Sequence, residues 1–294
     1  MIHFSHVVKR FRRNEVLKGI DLDIVRGQRV ALIGSNGAGK TTLIRCLLGE
    51  YKCEGEVTID NQNPRAFRQQ VLSKVGFVPQ LPPPLRMPVG QLVRFAASLC
   101  GADPQRMVRV AQQLGFDAQQ FSRQPFVKLS GGQKQKLLIA IALGRDSELL
   151  VMDEPAANLD PEARHILFRL LAEKQETSAM LISSHRLDEV ASLVNRVVEM
   201  DQGKIVLDDK VADLVEISSQ LQCRVRMLQH EEAFARALSE WGFQPEGDNR
   251  IWNGRVAGPD RLRFLGMLSR YAALLSAIEM NESAQPDTET ENVA

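Results

Sequence analysis

An apolar run, Val30–Ile33, leads into Gly34-Ser35-Asn36-Gly37-Ala38-Gly39-Lys40-Thr41, and a segment with helical spacing follows as far as Gly49. This stretch constrains the chain more than any other. The octapeptide fits the G-x-x-x-x-G-K-[ST] pattern, in the strand–loop–helix setting that the pattern requires. Glycines let backbone N–H groups turn inward onto phosphate oxygens, and the start of the helix adds partial positive charge. Lys40 is then placed for the β- and γ-phosphates of a nucleotide, and the Thr41 hydroxyl for Mg²⁺. The competing reading is a glycine-rich turn with an incidental lysine, and the flanking strand and helix argue against it.

A second element has the same requirement for position. Leu149-Leu150-Val151-Met152-Asp153-Glu154 is an apolar run ending in two carboxylates. A fully apolar run suits a central parallel strand. Open α/β sheets bind ligands at the carboxyl edge of their strands. Asp153 would hold Mg²⁺ through water, and Glu154 would orient an attacking water or accept its proton. A strand that simply ends in surface acids is the alternative, and it weakens beside a phosphate loop.

Composition narrows the class. The chain has 294 residues, 44% hydrophobic and 25% charged, close to the globular average. Its 37 basic and 36 acidic side chains leave a formal net charge of +1, which argues against a protein that holds nucleic acid mainly by charge. No run approaches the roughly 18 consecutive apolar residues of a membrane-spanning helix. The N-terminal residues lack a signal-peptide pattern. The four cysteines, Cys46, Cys53, Cys100 and Cys223, have no Cys-x-x-Cys spacing and read as free thiols in a reducing compartment.

Short Val/Ile/Leu runs alternate with helical segments up to about Leu214, which implies an α/β sandwich. Ile20–Val25 and Val30–Ile33 read as strands around the Arg26-Gly27-Gln28 turn. Glu56–Ile59, Val75–Val78 and Ala179–Ser183 are further strands. Pro82-Pro83-Pro84 predicts an extended loop. Val89–Cys100 and Pro104–Leu114 form a helical insert. The basic run Lys9-Arg10-Arg12-Arg13 reads as solvated surface.

A third element, Leu129-Ser130-Gly131-Gly132-Gln133, precedes the acidic strand and opens a helical stretch. With it the sequence resembles the ATP-binding cassette (ABC) family over roughly residues 1–215. Leu-Ser-Gly-Gly-Gln is that family's signature, and the order of phosphate loop, signature and acidic strand is the family's order. Gln80, in Val78-Pro79-Gln80, resembles the Q-loop glutamine. Asn158-Leu159-Asp160 resembles the D-loop. His185, in Ser183-Ser184-His185, resembles the switch histidine. Phe11 sits where the family places an aromatic stacked on adenine, although a Phe is also an ordinary core residue. Gln80 could instead be a solvated loop residue, and His185 a structural histidine. Asp160 also suits the cap of a helix beginning at Pro161. Ala156 departs from the Thr that many members carry after Asp-Glu-Pro.

The resemblance implies a P-loop NTPase cassette, a mixed sheet with helices plus a helical subdomain, binding ATP and Mg²⁺. It implies nucleotide contacts from Phe11, Gly34, Ser35, Asn36, Gly37, Ala38, Gly39, Lys40, Thr41, Thr42, Gln80, Ser130, Gly131, Gly132, Gln133 and Asp160. It implies metal contacts from Thr41, Gln80 and Asp153, and catalysis by Glu154, His185 and Lys40. It also implies that the signature closes on the γ-phosphate of a second, head-to-tail copy. One cassette without a membrane span suggests the ATPase subunit of a transporter whose permease is a separate chain. Such a subunit sits on the cytoplasmic face of the membrane through that permease. Among transporters the chain looks most similar to the bacterial ABC-2 type exporter ATPases, which include ATPases that help mature copper enzymes. Importer ATPases are the runner-up, and a soluble, non-transport ABC ATPase is the reading from a different class. The long coiled-coil insert of DNA-acting members and the paired cassettes of ribosome-acting members are absent from the sequence, and no nucleic-acid partner is expected.

After about Leu214 the texture changes. Cys223–Met227, Arg250–Val256 and Leu275–Met280 read as strands, and Glu231–Trp241 and Asp260–Tyr271 as helices. The expected organisation is an ATPase domain over residues 1–214 with its helical subdomain at about 81–146. A small α+β domain over 215–280, regulatory or accessory, and a disordered acidic tail over 281–294 would follow. The expected core of the small domain is Val225, Met227, Phe234, Leu238, Trp241, Ile251, Trp252, Leu262, Leu265, Leu268, Leu274 and Ile278.

Overall fold

A computed structural model of the chain describes residues 1–174, 178–185, 190–210, 220–229, 231–247, 249–257, 261–269, 271 and 274–282. The chain divides into two compact units, Met1–Val211 and Ala212–Ala294.

Three apolar runs make the centre of the first unit. β3 (Arg29–Ile33), β6 (Leu149–Asp153) and β7 (Ala179–Ser184) lie in a six-stranded sheet with β5 (Val75–Val78), β8 (Arg196–Asp201) and β9 (Lys204–Lys210). The strand order is β5-β6-β7-β3-β8-β9, parallel except for the antiparallel β8–β9 pair. Every residue of β6 and β7 is buried, as a strand covered on both faces requires.

A second sheet, β2-β1-β4, is antiparallel and is formed by β1 (Ile2–Phe11), β2 (Asn14–Ile24) and β4 (Glu54–Ile59). β2 begins at Asn14 rather than Ile20, because its first half pairs with β1 along the Lys9↔Leu17 and Phe11↔Asn14 register. The Arg26-Gly27-Gln28 turn therefore joins strands of different sheets. Gly27 holds φ 80° there, and Gln28 N donates to Val25 O at 3.2 Å.

Helix α1 (Lys40–Leu47) packs between the sheets. Its Leu43, Ile44 and Leu47 join Ile2, Phe4, Leu17, Val30 and Leu32 in one core. The other face of the large sheet, with Ala31, Leu150, Met152 and Ile182, packs on α5 (Gly131–Leu143) and α6 (Pro161–Ala172). Alternation along β3 thus feeds two cores. The helical insert contains α3 (Val89–Cys100) and α4 (Pro104–Gln113), with the short α2 (Arg68–Leu72) earlier in the chain. Asp103 caps α4 by accepting from Gln105 N at 2.9 Å, with Pro104 in the first turn. Val89, Leu92 and Val93 meet Met107, Phe126 and Leu137 in a third core.

The second unit has a sheet ordered β11-β12-β10-β13, made by β10 (Gln220–Met227), β11 (Gln244–Glu246), β12 (Ile251–Ala257) and β13 (Leu275–Glu282). Helices α7 (Glu232–Glu240) and α8 (Arg261–Ser269) accompany it. Val225, Met227, Phe234, Leu238, Trp252 and Leu268 are buried as expected, joined by Leu221, Phe243 and Phe264. Leu265 and Ile278 are instead 36% and 40% exposed. Helical spacing turns Phe264 and Leu268 to the core and Leu265 away, while Ile278 lies on an edge strand. The side chain of Leu262 lies outside the described residues. β13 continues through Asn281 and Glu282, which pair with Gln222 and Leu221. An acidic end does not stop a ladder made by backbone groups, so the strand runs past the expected boundary. Residues 283–294 of the expected tail lie outside the described residues. Among the described residues no helix is long and apolar enough to cross a membrane.

Candidate active site

The phosphate loop leaves β3 and enters α1 in a conformation that glycines make possible. Gly34 holds φ 144°, and a Cβ there would lie 2.2 Å from Met200 O. Gly39 holds φ 109° as the residue capping α1. The loop is anchored from below: Ala38 N donates to Ser35 O at 3.1 Å, and Gly203 N donates to Ala38 O at 3.0 Å. Lys40 is 7% exposed, and its Nζ donates to Gly34 O at 2.6 Å and Ser35 O at 3.2 Å. The ammonium also stands 4.0 Å from Glu154 Oε1.

The acidic strand end is held by β7. The β6–β7 register sets Asp153 opposite Ser183. Ser183 Oγ donates to Asp153 Oδ1 at 2.6 Å, and Glu154 N donates to Ser183 Oγ at 3.0 Å. Glu154 adopts φ 49°, a conformation uncommon for a residue with a side chain, and is 7% exposed. Its Oε2 lies 2.8 Å from His185 Nδ1. The two buried carboxylates are thus each held by polar partners, as burial of charge demands.

A cavity of about 460 Å³ joins these parts, lined by Asn14, Val16, Ser35–Thr42, Gln80 and Glu154. Glu154 also borders a second cavity with Pro155, Arg164, Ser183 and His185. The structure therefore brings together Ser35, Asn36, Gly37, Ala38, Gly39, Lys40, Thr41, Thr42, Gln80 and Glu154, with His185 bonded to Glu154; Asp153, the residue before Glu154, is buried and does not line this cavity. It does not bring Phe11 into the wall. Phe11 is 40% exposed, so it is not a core residue, and its ring meets Tyr51 edge-on at 5.2 Å with Lys9 Nζ 4.7 Å from its centroid.

The signature residues also lie outside that wall. Ser130 caps α5, accepting from Gln133 N at 3.2 Å, while Gln133 Oε1 accepts from Ser130 N at 2.9 Å. A Cβ on Gly132 would lie 3.2 Å from Asn158 O, whereas one on Gly131 meets nothing within 4 Å. Asp160 caps α6, accepting from Ala163 N at 2.8 Å, and pairs with Lys136 Nζ at 2.7 Å. The hydrogen bond from Lys136, then the one from Ala163 N, holds the Asp160 carboxyl below its ordinary pKa.

Four residues of this region are not marked by any motif of their own. Ser183 is legible only as part of the Ser-Ser-His stretch. Asn14 and Val16 stand in an unremarkable segment of sequence. Gln135 follows the signature, is fully buried and donates from Nε2 to Pro155 O at 3.1 Å, tying the signature helix to the loop after Glu154.

The model of the family described as "ABC transporter" matches residues 17–157. The Nod factor export ATP-binding protein I of Cupriavidus pinatubonensis is 34% identical over 76% of this chain and 70% of that protein. The human ATP-binding cassette sub-family A member 10 is 34% identical over 69% of this chain, which spans only 14% of that protein's length. The solved structure described as a dimeric, post-hydrolysis ATP-binding cassette bound to ADP and Pi superimposes with a TM-score of 0.65 at 23% identity. That match covers 73% of this chain and all of the cassette, and it shows the fold alone. With the phosphate loop, signature and acidic strand in one cassette fold, the chain belongs to the ABC transporter family.

Proposed function

We propose that this chain is the ATP-binding and ATP-hydrolysing subunit of a transporter, energising a separate permease at the cytoplasmic face of a membrane. The observation that carries the proposal is the meeting of Lys40, Gln80 and Glu154 at one cavity, with His185 on Glu154 and the signature outside the wall. Export of the ABC-2 type is the finer reading, supported by the similarity to a Nod factor export ATP-binding protein. Residues 1–214 are the proposed motor, and residues 215–280 a regulatory or dimer-bracing annex.

The phosphate loop receives the nucleotide's phosphates on its N–H groups, and Lys40 exchanges its loop carbonyls for β- and γ-phosphate oxygens. Thr41, Gln80 and Asp153 offer a hydroxyl, an amide and one carboxylate. Such hard oxygen donors suit Mg²⁺, which keeps several waters and takes phosphate oxygens as further ligands. When bound, the metal neutralises charge developing on the phosphates. Glu154 orients the attacking water and takes its proton, and His185 fixes the carboxylate that does so. Ser130, Gly131 and Gly132 of a second copy complete the site with N–H groups and a hydroxyl, acting through positioning and charge stabilisation.

Mixing two defective chains tests this reading. Lys40→Ala removes the phosphate-loop charge and keeps the signature. Gly131→Asp does the reverse, and the open space at Gly131 leaves room for the side chain. Each parent is expected to lack ATPase activity, and the mixed dimer, with one intact composite site, to regain it. Demonstrated mixed dimers without phosphate release would overturn the shared site.

Ser183 supplies a second measurement. Ser183→Ala takes a donor from Asp153 and an acceptor from Glu154 N. A hydrogen bond to a charged group contributes about 1.5–3 kcal/mol, so turnover is expected to fall roughly ten- to a hundredfold. Nucleotide affinity, measured in parallel, should change much less, because Ser183 does not line the phosphate-loop cavity.

A further inference from the structure

At the far end of α1 from the phosphate loop, the structure pairs two thiols that the sequence separates. Cys46 lies in the last turn of α1 and is 2% exposed; Cys53, just before β4, is half-buried. The two thiols are close enough to perturb one another's ionisation. Both line a cavity of about 530 Å³ with Tyr51, Lys52, Asn63 and Arg65. Lys9 reaches the same place from β1, donating from Nζ to Lys52 O at 2.7 Å.

The surroundings divide the pair into unequal partners. The neighbouring Cys46 thiol, followed by the charge of Lys9, a backbone hydrogen bond and the charge of Arg65, lowers the pKa of Cys53 to about 7 against the opposing effect of burial. The neighbouring Cys53, with burial, pushes the Cys46 thiol up. Cys53 is therefore the sulfur that a peroxide can reach, favoured as the thiolate, and Cys46 is the buried thiol beside it. That is the arrangement of an attacking and a resolving cysteine. The remaining cysteines differ: Cys100 Sγ donates to Ala96 O at 3.3 Å within its own helix, and Cys223 is buried in the second unit.

We propose that Cys53 and Cys46 are a peroxide-sensitive thiol pair that closes to an intramolecular disulfide. The Cys53 thiolate attacks one oxygen of hydrogen peroxide. An S–O bond forms, the O–O bond breaks, and the departing hydroxide takes a proton to become water. The Cys46 sulfur then attacks the Cys53 sulfenic acid. The S–S bond forms as the S–O bond breaks, and the hydroxyl leaves with the Cys46 proton as a second water. Two thiols are oxidised by two electrons, and one peroxide is reduced to two waters. A dithiol reductant reverses the change by thiol–disulfide exchange. The chemistry is independent of the nucleotide reading.

Peptide mapping of the full chain after brief exposure to hydrogen peroxide at neutral pH tests the proposal. The expected product links the peptides carrying Cys46 and Cys53, leaves Cys100 and Cys223 free, and disappears on treatment with dithiothreitol. Cys53 should react before Cys100, whose Sγ is tied to Ala96 O within its own helix. In Cys46→Ser the reaction should stop at a Cys53 sulfenic acid that dimedone traps; in Cys53→Ser Cys46 should remain unmodified. A wild-type chain in which Cys53 reacts no faster than Cys100, or in which its sulfenic acid persists without a link to Cys46, would overturn the proposal without recourse to either variant.

Discussion

Glu154→Gln is expected to keep nucleotide bound while turnover falls by about 10²- to 10⁴-fold, the usual contribution of a positioned general base. Glutamine preserves the shape and one acceptor oxygen. It loses the negative charge that Lys40 Nζ faces at 4.0 Å and that His185 Nδ1 meets at 2.8 Å. The strained backbone at φ 49° is held by Ser183 through Glu154 N, not through the side chain, so the substitution leaves it in place. Nucleotide affinity and single-turnover phosphate release separate the two effects. On the proposed shared site, light scattering with ATP and Mg²⁺ should show the variant accumulating as a dimer. Turnover near that of the unaltered chain would remove Glu154 from the reaction.

Lys40→Ala is expected to weaken nucleotide binding as well as abolish turnover, which separates it from Glu154→Gln. Lys40 is 7% exposed and bonded to two loop carbonyls, so its charge acts in a site with little water. Truncating one member of a buried charged pair costs about 2–5 kcal/mol, which corresponds to a loss of affinity of roughly 30-fold or more. Removing the ammonium also leaves the buried Glu154 carboxylate without its nearest lysine. Equilibrium binding of a nucleotide triphosphate checks the affinity, and phosphate release checks the turnover. Unchanged values of both would refute the assignment of residues 34–41 as the phosphate loop.

Glu154 and Lys40 are both legible in the amino-acid sequence, and the reason is local. A phosphate loop needs glycines at positive φ between a strand and a helix, so its chemistry is written in consecutive residues. An apolar run ending in Asp153 and Glu154 carries its own instruction, because burial of the run fixes where the carboxylates emerge. Ser130 and Gln133 are likewise a local pair, capping α5 from both directions. The small unit is legible as alternating strands and helices. Its core is less so where one residue of helical phase decides burial, as at Phe264 and Leu265.

Residues that act across the fold are not legible in this way. Ser183 reaches Asp153 only because β6 and β7 pair in one register, and nothing in either strand announces that register. Asn14 and Val16 enter the cavity wall because β2 starts six residues earlier than its apolar run suggests, along a ladder with β1 made by backbone groups. Nothing in the sequence marks Gln135, which gains its role only when α5 is packed against the loop after Glu154. Cys46 and Cys53 have no motif spacing and come to one cavity because the end of α1 and the segment before β4 both border it. Sequence alone determined the form of the loop and of the strand end on which the proposed chemistry rests, since each depends on contiguous backbone. Tertiary structure decided which side chains support that chemistry, since register and packing bring them there from separate elements.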